Sequence, residues 1–227
     1  MSNQLHQAMT DILAMPYFKN QHAQSQTHTH GHERAVADKL VANGFTEVHR
    51  EVYPKVTKDI LKNWAKTGDD SIMRTVTPSI PPGSFILQPA NSQAYPDILV
   101  YDFTHRYLAL ECKSGKGVGA PMWNDSLPYQ DGIYIYTSQK AQQTTVFLGK
   151  DVINPLIYAA QANFWKDVGL LIKQYRAIIN PLDRDLRGWD IKARPQNFQS
   201  GGKAKTNYFT HEDRAMCESN VLGYAQL

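Results

Sequence analysis

Cysteine is scarce in this chain: its 227 residues hold two, Cys112 and Cys217. Two isolated cysteines build neither a disulfide framework nor a cysteine-based zinc site. Long apolar runs are missing too, and none approaches the ~20 residues a membrane span needs. The opening stretch MSNQLHQAMTDILAMPYFKN has no basic segment followed by an apolar one, so no signal peptide is expected. No internal repeat is present. Charge of one sign is nearly balanced by the other. The net charge of +3 allows an anionic partner without demanding one. These absences together predict a soluble, cytoplasmic protein of a reducing compartment with no membrane association.

What is there suits a packed domain. Hydrophobic residues make up 42% and charged residues 20%, enough apolar material for a sizeable core and too much for wholesale disorder. The length fits one domain over residues 1–227 with peripheral elaboration, or at most two small ones. Helical spacing of Leu5, Ala8, Met9, Ile12 and Leu13 predicts a helix within residues 3–18. ERAVADKLVANGF predicts a second, with Val36, Leu40 and Val41 inward and Gly44 as its stop. TEVHREVY reads as a short strand and residues 55–70 as a further helix. Residues 75–96 hold five prolines and no clear period, so they read as a long ordered loop. Strands follow around Asp97–Phe103 and Arg106–Lys113, joined by a tight turn near Thr104. Two more are expected at Ile133–Thr137 and Thr144–Leu148. Residues 155–179 carry the clearest helix, with Asn154 as N-cap and Pro155 as its first residue. Its apolar positions are Leu156, Ala160, Phe164, Val168, Leu171, Tyr175 and Ile178. The implied architecture is α/β (α+β), a central mixed sheet flanked by helices.

The stretch YPDILVYDFTHRYLALECKSG sets Asp97, Glu111 and Lys113 among residues that otherwise alternate like a buried hairpin. Charges inside apolar strands are costly unless paired or bound to a metal. Side chains alternate faces along a strand, so Glu111 and Lys113 share a face and Cys112 points the other way. A turn centred on Thr104 sets residue 97 opposite 111; one centred on His105 sets it opposite 113. Either brings Asp97 to the Glu111/Lys113 face, whereas an even-numbered loop sets it opposite Cys112. Two carboxylates supply the hard oxygen ligands that Mg²⁺ prefers. A metal there can polarise a phosphoryl group and lower the pKa of a water, and a lysine can orient that water or stabilise developing charge. The plainer account is a turn-capping Asp97 and a Glu111–Lys113 pair at a solvated sheet edge.

Pro96–Asp97, thirteen intervening residues and then Glu111–Cys112–Lys113 resemble the PD-(D/E)XK nuclease signature, best known from type II restriction endonucleases. QPANSQAYPD is similar to the run-up to that signature, and the resemblance covers about residues 30–180. It implies a restriction-endonuclease-like core and a Mg²⁺-dependent, sequence-specific double-stranded DNA endonuclease. Asp97 and Glu111 would be metal ligands, and Lys113 would position or activate the attacking water. It further implies a homodimer, products with 5′-phosphates and a cognate DNA methyltransferase in the same system. In that family an upstream helical glutamate often joins the metal site, a role that falls on Glu33. A first-turn glutamate favouring the helix dipole is an equal account of it.

Other stretches are less specific. His28, His30 and His32 alternate in THTHGH, a possible chelating set that reads more simply as a solvated loop. SGKGVG lacks a complete P-loop frame, yet Lys116 suits a DNA backbone. Gly132–Tyr134 and Phe147–Gly149 resemble the halves of a GIY-YIG nuclease. Phe147 replaces the second tyrosine and the following arginine is missing, so they read as two core strands. Trp123, Asn124 and Asp125 sit in the loop after the site, where they could shape the pocket and Asn124 is a candidate DNA contact; a buried tryptophan anchoring the loop is the simpler account. The segment 187–227 is the candidate DNA-recognition region, with Arg194, Gln196, Asn197, Gln199, Lys203, Lys205, Asn207 and Tyr208 as its reading and phosphate-contacting side chains and Arg187, Lys192 and Arg214 beside them. Two alternatives stay open: a nuclease of the same fold in repair, resolution or mobile-element processing, and a non-catalytic DNA-binding module.

Overall fold

The computed structural model describes residues 4–17, 31–92, 94–121, 123–124, 126–182, 188, 190–193, 196–197, 199 and 207–227, with residues 124, 196 and 197 described by their backbone alone. They form two compact units. The first comprises Met1–Pro121, Tyr129–Val152 and Gln199–Leu227, and the second Met122–Pro128 and Ile153–Phe198.

The first unit is built on a six-stranded mixed sheet. Its strands are β1 (Thr46–Glu47), β2 (Ser84–Leu87), β3 (Ile98–Tyr101), β4 (Tyr107–Gly115), β6 (Ile133–Ser138) and β7 (Gln143–Leu148), in the order β1-β2-β3-β4-β6-β7. The β1/β2 and β4/β6 pairs are parallel and the other three are antiparallel. Alternation along the strands splits the core into two layers. Phe85, Ile98, Val100, Leu108, Leu110, Ile133, Ile135, Val146 and Leu148 meet α1 (Gln4–Leu13), α2 (Gly31–Ala42) and α7 (Arg214–Tyr224). Ile86, Leu99, Tyr101, Tyr107 and Ala109 meet α3 (Lys58–Thr67) and α4 (Asp70–Val76) on the opposite face. The expected mixed sheet with flanking helices is thus what the chain forms.

Several elements differ from the expectation. Residues 75–96 are not simply a loop: they include the end of α4 and the interior strand β2, whose ladder to β1 and β3 supplies the order that its proline-rich surroundings conceal. The strand expected in TEVHREVY is two residues long and gives way to a 3₁₀ turn at Arg50–Val52. In α2, Val36, Ala37 and Leu40 are buried while Val41 is exposed, because the inward stripe ends at Leu40. Gly44 does stop that helix. Its φ of +88° is left-handed, and the Phe45 N–H donates back to the Leu40 carbonyl at 3.1 Å. The C-terminal segment is not wholly a recognition surface, because α7 inserts Val221 into the core.

In the second unit, β5 (Trp123–Asn124) pairs antiparallel with β8 (Gln196–Asn197). The helix α6 (Pro155–Ile179) starts as expected, with Asn154 Oδ1 accepting the Leu156 N–H at 2.8 Å. None of its 25 residues is buried.

Candidate active site

The turn between β3 and β4 sets the site's geometry. The Asp102 N–H donates to the Arg106 carbonyl at 3.0 Å, leaving a three-residue loop with His105 left-handed at φ +66°. Asp102 Oδ1 accepts the N–H groups of Thr104 and Arg106, each at 2.9 Å, and Oδ2 pairs with the Arg106 guanidinium at 2.9 Å. An odd loop centred on Thr104 pairs Ile98 with Leu110. One residue further along, Asp97 lies opposite Glu111.

At that end of the sheet the two acids interlock. The Asp97 N–H donates to Glu111 Oε2 at 3.2 Å, and the Cys112 N–H donates to Asp97 Oδ2 at 2.7 Å. Lys113 Nζ donates to Glu111 Oε1 at 2.7 Å, in a pair with side chains 22% and 12% exposed. The Glu111–Lys113 pair of the plainer account does form, with both side chains part-buried rather than fully solvated. Cys112 points to the opposite layer and packs against the core there, as strand alternation requires.

Burial raises the Asp97 carboxyl well above its ordinary range, and the charges of Glu111 and then Glu33 raise it further. Burial alone would lower Lys113, but the charge and hydrogen bond of Glu111, with Asp97 behind them, leave it raised. Lys113 is consequently an ammonium at neutral pH. Burial and the same carboxylates push the Cys112 thiol far up, so it stays protonated. The site thus crowds Asp97 against two further acids, with one ammonium beside them.

Glu33 lies in the first turn of α2, and its charge is felt at Asp97. Its Oε2 accepts from Gln88 Nε2 at 2.9 Å, while the Gln88 N–H donates to the Asp97 carbonyl at 2.7 Å. Gln88 is the residue that reading the sequence missed. It joins the α2 acid to the β3 acid and has a left-handed backbone, φ +49°. Its position just after a four-residue strand among prolines gave no local signal. Among the described residues, no three His, Cys, Asp or Glu side chains form a cluster able to hold an ion. What the site offers is the Asp97/Glu111 pair, a donor set matching the one or two carboxylates that Mg²⁺ takes while keeping several waters.

The other expected residues are scattered. Lys116 is exposed just past β4, where its carbonyl accepts the Lys140 N–H at 3.1 Å. The Gly117 and Gly119 carbonyls accept from Ser138 and Tyr136, so this loop is tied back onto β6. The Tyr208 ring packs on Tyr136 and Phe147, and its hydroxyl donates to Gln199 at 2.8 Å. Asn207 is likewise occupied, accepting the Phe209 N–H at 3.0 Å. Arg214 anchors α7 through Glu218, Gln143 and the Thr144 carbonyl. Trp123 is buried in β5, and Gln196 and Asn197 form β8. Arg187, Arg194, Lys203, Lys205, Asp125, His28 and His30 lie outside the described residues. His32 opens α2 with a buried Nε2 that has no hydrogen-bond partner, and burial lowers its pKa to about 4. The GIY-like halves are adjacent core strands, with Tyr134 stacked on Phe147 at 5.6 Å.

Among the described residues, no helix is long and apolar enough to cross a membrane. No protein-family model, curated protein or solved structure matches this chain.

Proposed function

We propose that the chain is a Mg²⁺-dependent, sequence-specific double-stranded DNA endonuclease with a restriction-endonuclease-like core of the PD-(D/E)XK kind. The observation that carries this reading is the meeting of Asp97 and Glu111 across the β3/β4 hairpin, with the Lys113 ammonium on the same Glu111. A purely structural ion pair would need only Glu111 and Lys113. The additional buried acid, its carboxyl pushed well up, is a stability cost that a bound cation relieves.

Asp97 and Glu111 are the residues that would hold Mg²⁺, with Glu33 as auxiliary. When bound, the ion supplies polarisation of the scissile phosphate and a more acidic water. Lys113 acts as a fixed donor. Being protonated, it orients the attacking water and stabilises charge growing on the phosphoryl oxygens rather than removing a proton. Its grip on Glu111 holds the ammonium on the carboxylate face of β4. The water oxygen bonds to phosphorus as the bond to the 3′-oxygen breaks. The departing oxygen takes up a proton, leaving a 5′-phosphate and a 3′-hydroxyl. Lys116, three residues along the chain, is exposed and suited to a neighbouring phosphate. Acting on DNA in the cytoplasm, such an enzyme needs a cognate methyltransferase to protect host sites, and a homodimer suits a palindromic site.

Asp97→Ala tests the assignment. Cleavage with Mg²⁺ is expected to fall by at least about 10³-fold, while DNA binding measured with Ca²⁺ largely survives. Unchanged cleavage by that variant overturns the site.

A further inference from the structure

β2 ends at Leu87, which pairs with Ile98, so the next residue, Gln88, lies opposite Asp97. Its N–H donates to the Asp97 carbonyl at 2.7 Å. Phe85 and Leu87 face the layer that holds α2, and Ile86 faces the layer that holds α3 and α4. Strand alternation would send the Gln88 side chain the way of Ile86, away from α2. The chain does otherwise. Gln88 turns left-handed at φ +49°, a conformation that non-glycine residues rarely take. Its Nε2 donates to Glu33 Oε2, in the first turn of α2, at 2.9 Å. His105 and Gln142 are left-handed inside short hairpin loops, where the turn itself requires it. No tight turn closes at Gln88: residues 88–97 lead on to β3. Its backbone strain instead selects the direction of a side chain.

The use of that direction follows from the reach of Glu33. Asp97, Glu111 and Glu33 are all described, and no three such side chains among the described residues close into a cluster able to hold one ion. Mg²⁺ held by one or two carboxylates keeps several waters. Groups that orient a metal's ligands from outside set much of a site's affinity. A first-turn glutamate is long and free to rotate, and that freedom must be removed before it can act at a fixed point. Gln88 pins one of its oxygens, from a backbone that is itself bonded to Asp97.

On the nuclease reading above, on which this rests, we propose that Gln88 is a positioning residue of the metal site. Its carboxamide holds Glu33 at the end of β2, so that Glu33 serves an ion on Asp97 and Glu111 through one of the ion's waters rather than as a direct ligand.

The test is the Mg²⁺ affinity of the full-length protein, read twice. One reading is the Mg²⁺ dependence of cutting unmethylated phage DNA; the other is the rise of the melting temperature with Mg²⁺ in the absence of DNA. Gln88→Asn keeps an amide and tolerates the left-handed backbone, but is one methylene too short for Glu33. Gln88→Gly takes that backbone most readily and has no side chain. Both are expected to weaken Mg²⁺ at least about 10-fold by either reading, with the cutting lost at low Mg²⁺ recovered at saturating Mg²⁺. Glu33→Gln is expected to weaken Mg²⁺ as well. Adding Gln88→Asn to Glu33→Gln then costs no more than about a further twofold, because Gln88 acts through Glu33. A purely structural Gln88 would lower the melting temperature in EDTA and leave Mg²⁺ affinity unchanged in both variants. That result overturns the proposal, as does a loss that multiplies in full with that of Glu33→Gln or one that saturating Mg²⁺ does not recover. A wild type that cuts DNA and melts higher with Mg²⁺, matched by both Gln88 variants, removes Gln88 alone. A wild type that does neither overturns the nuclease reading and this role with it.

Discussion

Asp97 faces two demands that conflict in the metal-free protein. Its Oδ2 must accept the Cys112 N–H, and its charge must coexist with Glu111 and Glu33 in a site largely closed to water. Its folded-state pKa is raised, so the stability it contributes is full at acid pH and is lost as pH rises through that folded value. Asp97→Asn keeps an acceptor oxygen and removes the charge. In EDTA the variant is expected to melt above wild type by a few degrees, about 1 kcal/mol in a chain of this size. The gap should widen from acid to neutral pH and close when Mg²⁺ stabilises the wild type. Melting curves across pH, with and without Mg²⁺, check this, and a gap independent of both variables contradicts it. Asp97, Glu111 and Lys113 were legible because charges inside apolar strands are conspicuous. Gln88 was not, because a neutral side chain earns its importance only from where the fold sets it.

The hairpin is the element that turns sequence spacing into a site. Asp102, 2% exposed, gathers the Thr104 and Arg106 amides and the Arg106 guanidinium, and so fixes an odd loop and the 97-opposite-111 register. A one-residue slip would send Glu111 and Lys113 to the other face. Asp102→Ala takes the shared acceptor away from the part-buried donors of the turn and is expected to cost about 1–3 kcal/mol. Chemical denaturation measures that cost, and a loss under about 0.5 kcal/mol, the size of an ordinary surface change, contradicts the turn's role. Both hairpin strands announced themselves by alternation and by the turn residues between them. β2 and α4 did not. A four-residue strand and a seven-residue helix are held by non-local partners, and short elements carry little stability of their own. α7 was hidden similarly, since its polar sequence buries just Cys217 and Val221.

For the molecule as a whole, the class of architecture was readable and the wiring was not. Mixed helices and strands imply a sheet with flanking helices. The order β1-β2-β3-β4-β6-β7 depends on pairings between distant segments, which no local pattern encodes. The parallel β4/β6 step is also unusual: such a crossover commonly carries a helix, and here Lys116–Gly132 makes it with β5 as its one regular element among the described residues. α6 was the clearest helix in the sequence, but periodicity reports an apolar face, not what covers it. The central claim remains catalytic, and unmethylated phage DNA incubated with the purified protein tests it most directly, in Mg²⁺ and in EDTA side by side. Discrete bands that appear with Mg²⁺ and vanish with EDTA are the predicted result. A smear would contradict sequence specificity, and DNA left intact under both conditions would contradict the nuclease itself.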